Sequence, residues 1–290
     1  TGFTSDNFFT KNNFMNILMN MSSRLVIALG IAGCVITAGC DLSAGRMIGF
    51  GACISGMLLQ RMDYSGKFFP DMQPLNVFVV ALIAMLVCAA FGTVTGFFIA
   101  YLNVPPFIAT LAMMEIVYGI GLIVTNATPL GGYVEQYTNV SNGKFLGINY
   151  LIWIAIIVAA ITWFIFNMTR HGKYMYAIGG NPQAAEVAGV PVKATLILIY
   201  MKAAAMYGLA GFMLGAKAGG ASVQTGYGYE MEAIAACTIG GVSVTGGRGK
   251  VSSAIIGVAV FELLKVALQY LGMNANAQYI AIGVVIFIAI

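Results

Sequence analysis

The strongest constraint in this sequence is a series of long apolar runs that do not alternate with polar residues. Runs such as 75–102 and 149–167 hold no charged residue and no proline over the length of a bilayer crossing. A crossing helix needs about 20 mostly apolar residues. Inside lipid every backbone amide must find its partner within the protein, so only helices and closed barrels can span. A barrel strand would alternate between apolar and polar with period two. These runs do not, so the sequence predicts an all-α polytopic transmembrane bundle.

Composition agrees. Of 290 residues, 60% are hydrophobic and 8% are charged, against roughly 25% charged in soluble domains. Mean hydropathy is +0.89. So few charges cannot cover a solvated surface, and membrane lipid is the medium facing most of the chain. The 36 glycines suit helices that pack by close backbone approach.

Spans are predicted near 23–39, 46–60, 75–102, 106–126, 149–167, 194–216, 251–271 and 277–290. A shorter apolar piece, 231–240, lies between Gly226, Gly228, Gly240 and Gly241 and is too short to cross alone. It reads as a half-helix lining a cavity or abutting another broken segment. About nine membrane segments result, forming one domain over 1–290. Residues 1–22 read as a polar lead-in with an amphipathic part at 14–21. The start at Thr1 and the end inside an apolar run are read as marks of a fragment.

Lys and Arg counts do not orient the bundle. With 168–193 in the cytoplasm, Arg46, Arg170, Lys173, Lys193, Arg248 and Lys250 fall inside. Lys11, Arg24, Arg61, Lys67, Lys144 and Lys217 fall outside. The net charge of +4 forms no basic stripe, so nucleic acid is not a predicted partner. Cys34, Cys40, Cys53, Cys88 and Cys237 form no CxxC pair and read as small packing residues. With His171 the single histidine, neither a metal site nor a bound cofactor is predicted. No nucleophile–base constellation or paired loop carboxylates are evident, so a catalytic role is not predicted.

The clearest local motif lies in 168–193. Gly179 and Gly180 give pliable backbone, Asn181 is a good N-cap, and Pro182 suits the first helical position. Ala184, Ala185 and Ala188 make a small-residue face, and Gly189 with Pro191 stops the helix. Such a short, smooth helix can dock in a groove of another protein, or serve as an ordinary interfacial helix. In TAGCDLSAGRMIGFG, Asp41 and Ser43 are candidate caps, and Gly45 and Gly49 form a GxxxG pair. Gly92 with Gly96, and Gly211, Gly215 and Gly219, repeat that spacing for helix packing. The segment GGVSVTGGRGKVSS imitates a phosphate loop but fails. Gly249-Lys250 is followed by Val251, and Val244 stands where the first glycine belongs.

Charges within apolar runs are functional candidates. Glu115 and Lys202 are candidates for pairing across helices, as an ion-coupled carrier would need. Glu262 and Lys265, three apart, are candidates for pairing on one helix face. The alternative for all four is structural pairing or snorkelling.

Four blocks resemble a known family: GCDLSAGRMIGFGACISGMLLQRMD, AYLNVPPFIATLAMMEIVYG, GKYMYAIGGNPQAAEVAGVPV and GYGYEMEAIAACTIGGVSVTGGRGKV. In order and content they are similar to permeases of bacterial monosaccharide importers of the ATP-binding-cassette type. The galactose/methyl-galactoside branch is nearest and ribose permeases come next. The resemblance implies ten spans, with the first and the C-terminal end missing here, and a bacterial inner-membrane location. It implies a second permease copy forming a homodimer, with the pathway between copies. A cytoplasmic ATP-hydrolysing subunit and a periplasmic or lipid-anchored sugar-binding protein are the implied partners. It makes 168–193 the cytoplasmic coupling loop, centred on Gly179–Val190, and turns 127–148 and 217–230 toward the periplasm. Glu115, Lys202, Glu262 and Lys265 depart from the family pattern.

Overall fold

A computed structural model describes residues 10–289, and residues 1–9 of the predicted lead-in lie outside the described residues. Twelve helices follow in order: α1 Lys11–Ile36, α2 Ala44–Leu58, α3 Val77–Tyr101, α4 Pro106–Thr125, α5 Glu135–Asn142 and α6 Tyr150–Met168. Then come α7 Arg170–Gly180, α8 Pro182–Val187, α9 Val192–Ala218, α10 Tyr229–Ile239, α11 Val251–Tyr270 and α12 Ala275–Ala289. A two-stranded antiparallel ribbon, β1 Lys144–Phe145 and β2 Ile148–Asn149, precedes α6.

Six of these helices (α1, α3, α4, α6, α9 and α11) are long and apolar enough to cross a bilayer. The predicted boundaries of α3, α4, α6, α9 and α11 are met within a few residues. Three predicted segments are shorter. Segment 46–60 is α2, with 15 residues, and 231–240 is α10, with 11. Segment 277–290 corresponds to α12, with 15, and its last residue lies outside the described residues. At 1.5 Å per residue α2 reaches only about 22 Å, so the reading of 46–60 as a full span is corrected. The lead-in is corrected too. Helix α1 begins at Lys11, capped by Thr10, whose hydroxyl accepts from the Asn13 amide at 3.3 Å.

Helix α9 is the axis of the bundle. Its neighbours are α3, α2 and α1, and all four approach through glycine or alanine. A Cβ on Gly208 would stand 2.5 Å from the Ala84 carbonyl oxygen, and one on Gly51 would stand 2.9 Å from Gly208. Gly92 and Gly96 of α3 press on the backbone at Tyr200 and Ile197, and Gly211 meets the Ile48 carbonyl oxygen. Gly215 accommodates the Tyr137 hydroxyl, which donates to the Phe212 carbonyl oxygen at 2.7 Å. These glycines are thus contacts inside one subunit. Helices α3, α4 and α6 form the outer wall, where Phe78, Leu82, Leu86, Ile123, Ile157 and Phe164 are exposed, as suits lipid-facing residues.

The contact at Gly208 is tight because backbone atoms oppose it. Gly208→Leu is expected to abolish a monodisperse peak in detergent chromatography. Gly119→Leu on the outer face of α4, where nothing lies within 4 Å of an added Cβ, is expected to behave as the parent.

Candidate functional site

Three features stand out. The first is the segment around α7 and α8. Helix α7 starts at Thr169, whose hydroxyl accepts from the Gly172 amide at 3.3 Å. Its C-terminal end is bonded to one neighbouring segment and packed on a second, and those two are bonded to each other. The Tyr176 hydroxyl donates to the Gly249 carbonyl oxygen at 2.8 Å, and the Gly247 amide donates to the Ile36 carbonyl oxygen at 2.8 Å. Gly179 lies where these backbones meet, and a Cβ on it would stand 1.8 Å from the Ile36 oxygen. Gly179 is therefore a close-approach residue inside a helix, correcting the reading of Gly179-Gly180 as pliable backbone. Gly180 has nothing within 4 Å of an added Cβ. Asn181 caps α8 through its Oδ1, which accepts from the Ala184 amide at 3.0 Å, and Pro182 follows at the first position. Ala185 is buried against the protein, whereas Asn181, Pro182, Ala184, Ala188 and Gly189 are exposed and Val187 is 91% exposed. Gly189, at φ +83°, ends the turn in a left-handed conformation.

His171, at the start of α7, sits beside Lys202 in a small recess lined by α1, α6 and α9. Burial pushes its imidazole down to about 4, with the Lys202 ammonium adding to the shift.

The second feature is a cluster of charges between α1, α10 and α11. Arg24 pairs with Glu262, and its Nε lies 3.3 Å from Oε2 of Glu232. Glu232 also receives Lys265. The Arg24 guanidinium lies 5.3 Å from the Tyr229 ring centre. The predicted Glu262–Lys265 pair is thus corrected: each takes a partner on another helix. Two cations and two carboxylates close a balanced set, with Glu262 only 2% exposed. It fastens the half-helix α10 to α1 on one side and α11 on the other. Glu115 and Lys202, by contrast, form no ion pair among the described residues, which removes the pair that an ion-coupled carrier would use. Glu115 is exposed on α4 and Lys202 faces His171.

The third feature is the meeting of two half-helices. The first turn of α2 abuts the first turn of α10, so closely that a Cβ on Gly45 would stand 1.9 Å from Oε2 of Glu230. Gly49 faces the carbonyl oxygens of Val223 and Thr225. Two helix N-termini carry like partial charges, and the buried Glu230 carboxylate between them offsets their repulsion. Asp41 does not cap α2. Its Oδ1 accepts from the Ser43 amide at 3.0 Å and from the Ser43 hydroxyl at 2.6 Å, making a local turn. Ser43 occupies the cap position without a side-chain hydrogen bond to the helix. Asp41 is buried near Tyr200 and Tyr207 of α9.

Beside this junction Arg46 lies between two rings, 4.0 Å from the Tyr118 centre and 4.4 Å from that of Tyr227. It donates to Oε1 of Gln224 at 2.7 Å, and Nε2 of Gln224 donates to the Tyr118 hydroxyl at 3.1 Å. Sequence reasoning missed this group and counted Arg46 and Arg24 only as inside and outside charges in orienting the bundle. Tyr227 between Gly226 and Gly228, just before a half-helix, was the available signal.

Two outcomes follow. Arg24→Ala leaves Glu262 buried without its cation, a loss of about 3–5 kcal/mol. In thermal unfolding the double variant Arg24→Met/Glu262→Met is expected to be milder than Arg24→Ala. For His171, the folded value of about 4 lies below the ordinary 6.5, so the unfolded chain binds the proton first. Stability is therefore full above pH 6.5 and declines as pH falls toward 4. His171→Gln is expected to flatten the decline of melting temperature between pH 7 and 4.5.

Comparison with known proteins places these features in a family. The family described as "Branched-chain amino acid transport system / permease component" matches residues 13–290. The galactose/methyl galactoside import permease protein MglC of Haemophilus influenzae is 43% identical over 285 residues, covering 96% of this chain and 85% of that protein. The protein of the same name from Escherichia coli K12 is 41% identical over 295 residues, covering 99% of this chain and 88% of that protein. The ribose import permease protein RbsC of Escherichia coli K12 is 33% identical over 290 residues, covering 99% and 87%. No solved structure matches the chain.

Proposed function

Because the chain belongs to the family of transport-system permease components that matches residues 13–290, we propose that it carries a monosaccharide, galactose or a methyl galactoside, into the bacterial cytoplasm. It is a multi-pass permease subunit of the inner membrane. The observation that carries the substrate is the relatives' order: four proteins named for galactose/methyl galactoside import stand at 36–43% identity, and one named for ribose import at 33%.

The energy source is a separate ATP-hydrolysing subunit on the cytoplasmic side, since the one phosphate-loop-like segment here lacks the required residues. A sugar-binding protein delivers substrate at the opposite face, and two copies of the permease enclose the pathway. Segment 168–193 is the coupling loop. Support comes from its build: α8 protrudes with Val187 outward, on a base held rigidly by Gly179, Tyr176 and Gly247. A push on α8 thus passes to the ends of α1 and the 241–250 turn, and through α7 to α9. The inward-facing Ala185 narrows the docking face to Pro182, Ala184, Val187 and Ala188. Coupling requires that this face make different contacts in the two states of the cycle.

The test is sugar uptake into vesicles holding the permease with its ATPase and binding protein. Labelled galactose is expected to accumulate with ATP and to be unaffected by an uncoupler. Preferential ribose uptake would reassign the sugar, and ATP-independent uptake would overturn the importer reading. Ala184→Glu/Val187→Glu is expected to abolish uptake and ATPase stimulation together, while Gly180→Ala leaves both intact. Survival of both activities in the double variant would exclude α8 as the docking element.

A further inference from the structure

Helix α4 belongs to the outer wall, and most of its exposed residues are apolar: Phe107, Ile108, Leu111, Ile116 and Ile123. One stretch is different. Glu115 is exposed, and one turn later Tyr118 meets Arg46, Gln224 and Tyr227. Tyr227 is 62% exposed. Tyr118 is about 18 Å along α4 from Pro106 and about 10 Å from its other end, so this polar group lies inside the hydrocarbon depth. Intramembrane ionisable groups face a bundle interior or a water-filled cavity, not lipid. Directly behind the group, Glu230 is 5% exposed, and its Oε2 has no hydrogen-bond partner among the described residues. That carboxylate sits where the backbone N–H groups of two half-helices converge, the arrangement broken helices use around solute sites.

We propose that Arg46, Tyr118, Gln224 and Tyr227 form a monosaccharide contact on the aqueous pathway, with the Tyr227 ring as the stacking face. This rests on the importer reading above. A pyranose presents an apolar face of C–H groups and a rim of hydroxyls. It therefore suits an open aromatic ring set beside fixed polar groups. The Arg46 guanidinium holds five N–H donors and is positioned from both sides by tyrosines, so its orientation does not depend on a direct ion pair, while the nearby Glu230 carboxylate offsets its charge. Gln224 links Arg46 to Tyr118 and fixes the direction of both. Contacts this few and this open bind weakly, as a conduit requires: a solute must be able to leave as readily as it enters.

The test uses the permease assembled with its ATPase and binding protein in vesicles. Tyr227→Cys is made in a Cys40→Ser background, because Cys40 is the one cysteine that is not buried. A charged, water-soluble thiol reagent is expected to modify it far faster than Ile116→Cys, which lies at similar depth on the lipid-facing side of α4. Galactose delivered by the binding protein is expected to slow that modification. In the native background Tyr227→Ala is expected to lower uptake turnover roughly tenfold, the loss of one aromatic contact, with binding-protein-stimulated ATP hydrolysis retained. Gln224→Cys supplies a second probe of the same site. Modification no faster than at Ile116→Cys, modification without sugar protection, or normal uptake by Tyr227→Ala would each overturn the site. A disulfide between copies at Tyr227→Cys with no sugar effect would make the patch a subunit contact instead. Failure of the unmodified assembly to import galactose would strike at the importer reading itself.

Discussion

Backbone-to-backbone contact along α9 is the interaction on which the rest of this structure depends. In lipid, helices gain little by hiding apolar side chains from an equally apolar medium, so association rests on dispersion and close approach. Gly51 facing Gly208, Gly92 on Tyr200 and Gly30 on Ala203 and Tyr207 bring three neighbours, α2, α3 and α1, against α9 at distances that no larger side chain would permit. Because packing is sensitive to sub-ångström fit, these contacts fix the lateral and axial position of α1, α2 and α3. Everything polar in the bundle is placed relative to that frame.

The frame makes room for two helices that do not cross. With α2 starting partway along α9, beside Tyr200 and Tyr207, its N–H groups open into the interior, and α10 meets it head-on. The Glu230 carboxylate answers both positive ends. The far end of α10 is packed on α11, where a Cβ on Gly257 would stand 1.8 Å from the Ala236 carbonyl oxygen. The charge cluster of Arg24, Glu232, Glu262 and Lys265 then ties its first turn to α1 and α11. A half-helix held by a neutral ionic set can be displaced only with its partners, so the cluster joins three elements into one mechanical unit.

Much of the fold was legible because lipid enforces length and composition. The crossings 75–102, 106–126 and 149–167 are bounded by Asn76, Pro105 and Asn149, whose capping or helix-starting chemistry is readable without a structure. Segment 46–60 misled because apolar composition reports burial and says nothing of depth. Helix α2 is apolar all round because protein surrounds it, and its 15 residues are too few to cross. The small helix after Asn181 was legible down to its cap, since capping is local. Which of its alanines faces outward was not, because that depends on how α7 docks against Ile36 and Gly247.

The intramembrane charges show the same division between local and long-range information. Spacing three apart places Glu262 and Lys265 on one helix face, and in an isolated helix they would pair. Here Arg24, 238 residues away in sequence, takes Glu262, while Glu232 of the half-helix takes Lys265. The exchange is favoured because a cross-helix pair satisfies a buried carboxylate and fastens a second element in one step. Arg46 carries the argument further. It has no carboxylate partner among the ion pairs of the described residues, and two tyrosine rings and a carboxamide hold it instead. With Glu230 acting on it only from a distance and its Nε without a hydrogen-bond partner among the described residues, Arg46 retains donors for a neutral, hydroxyl-rich solute, whereas a directly paired cation would have spent them within the protein.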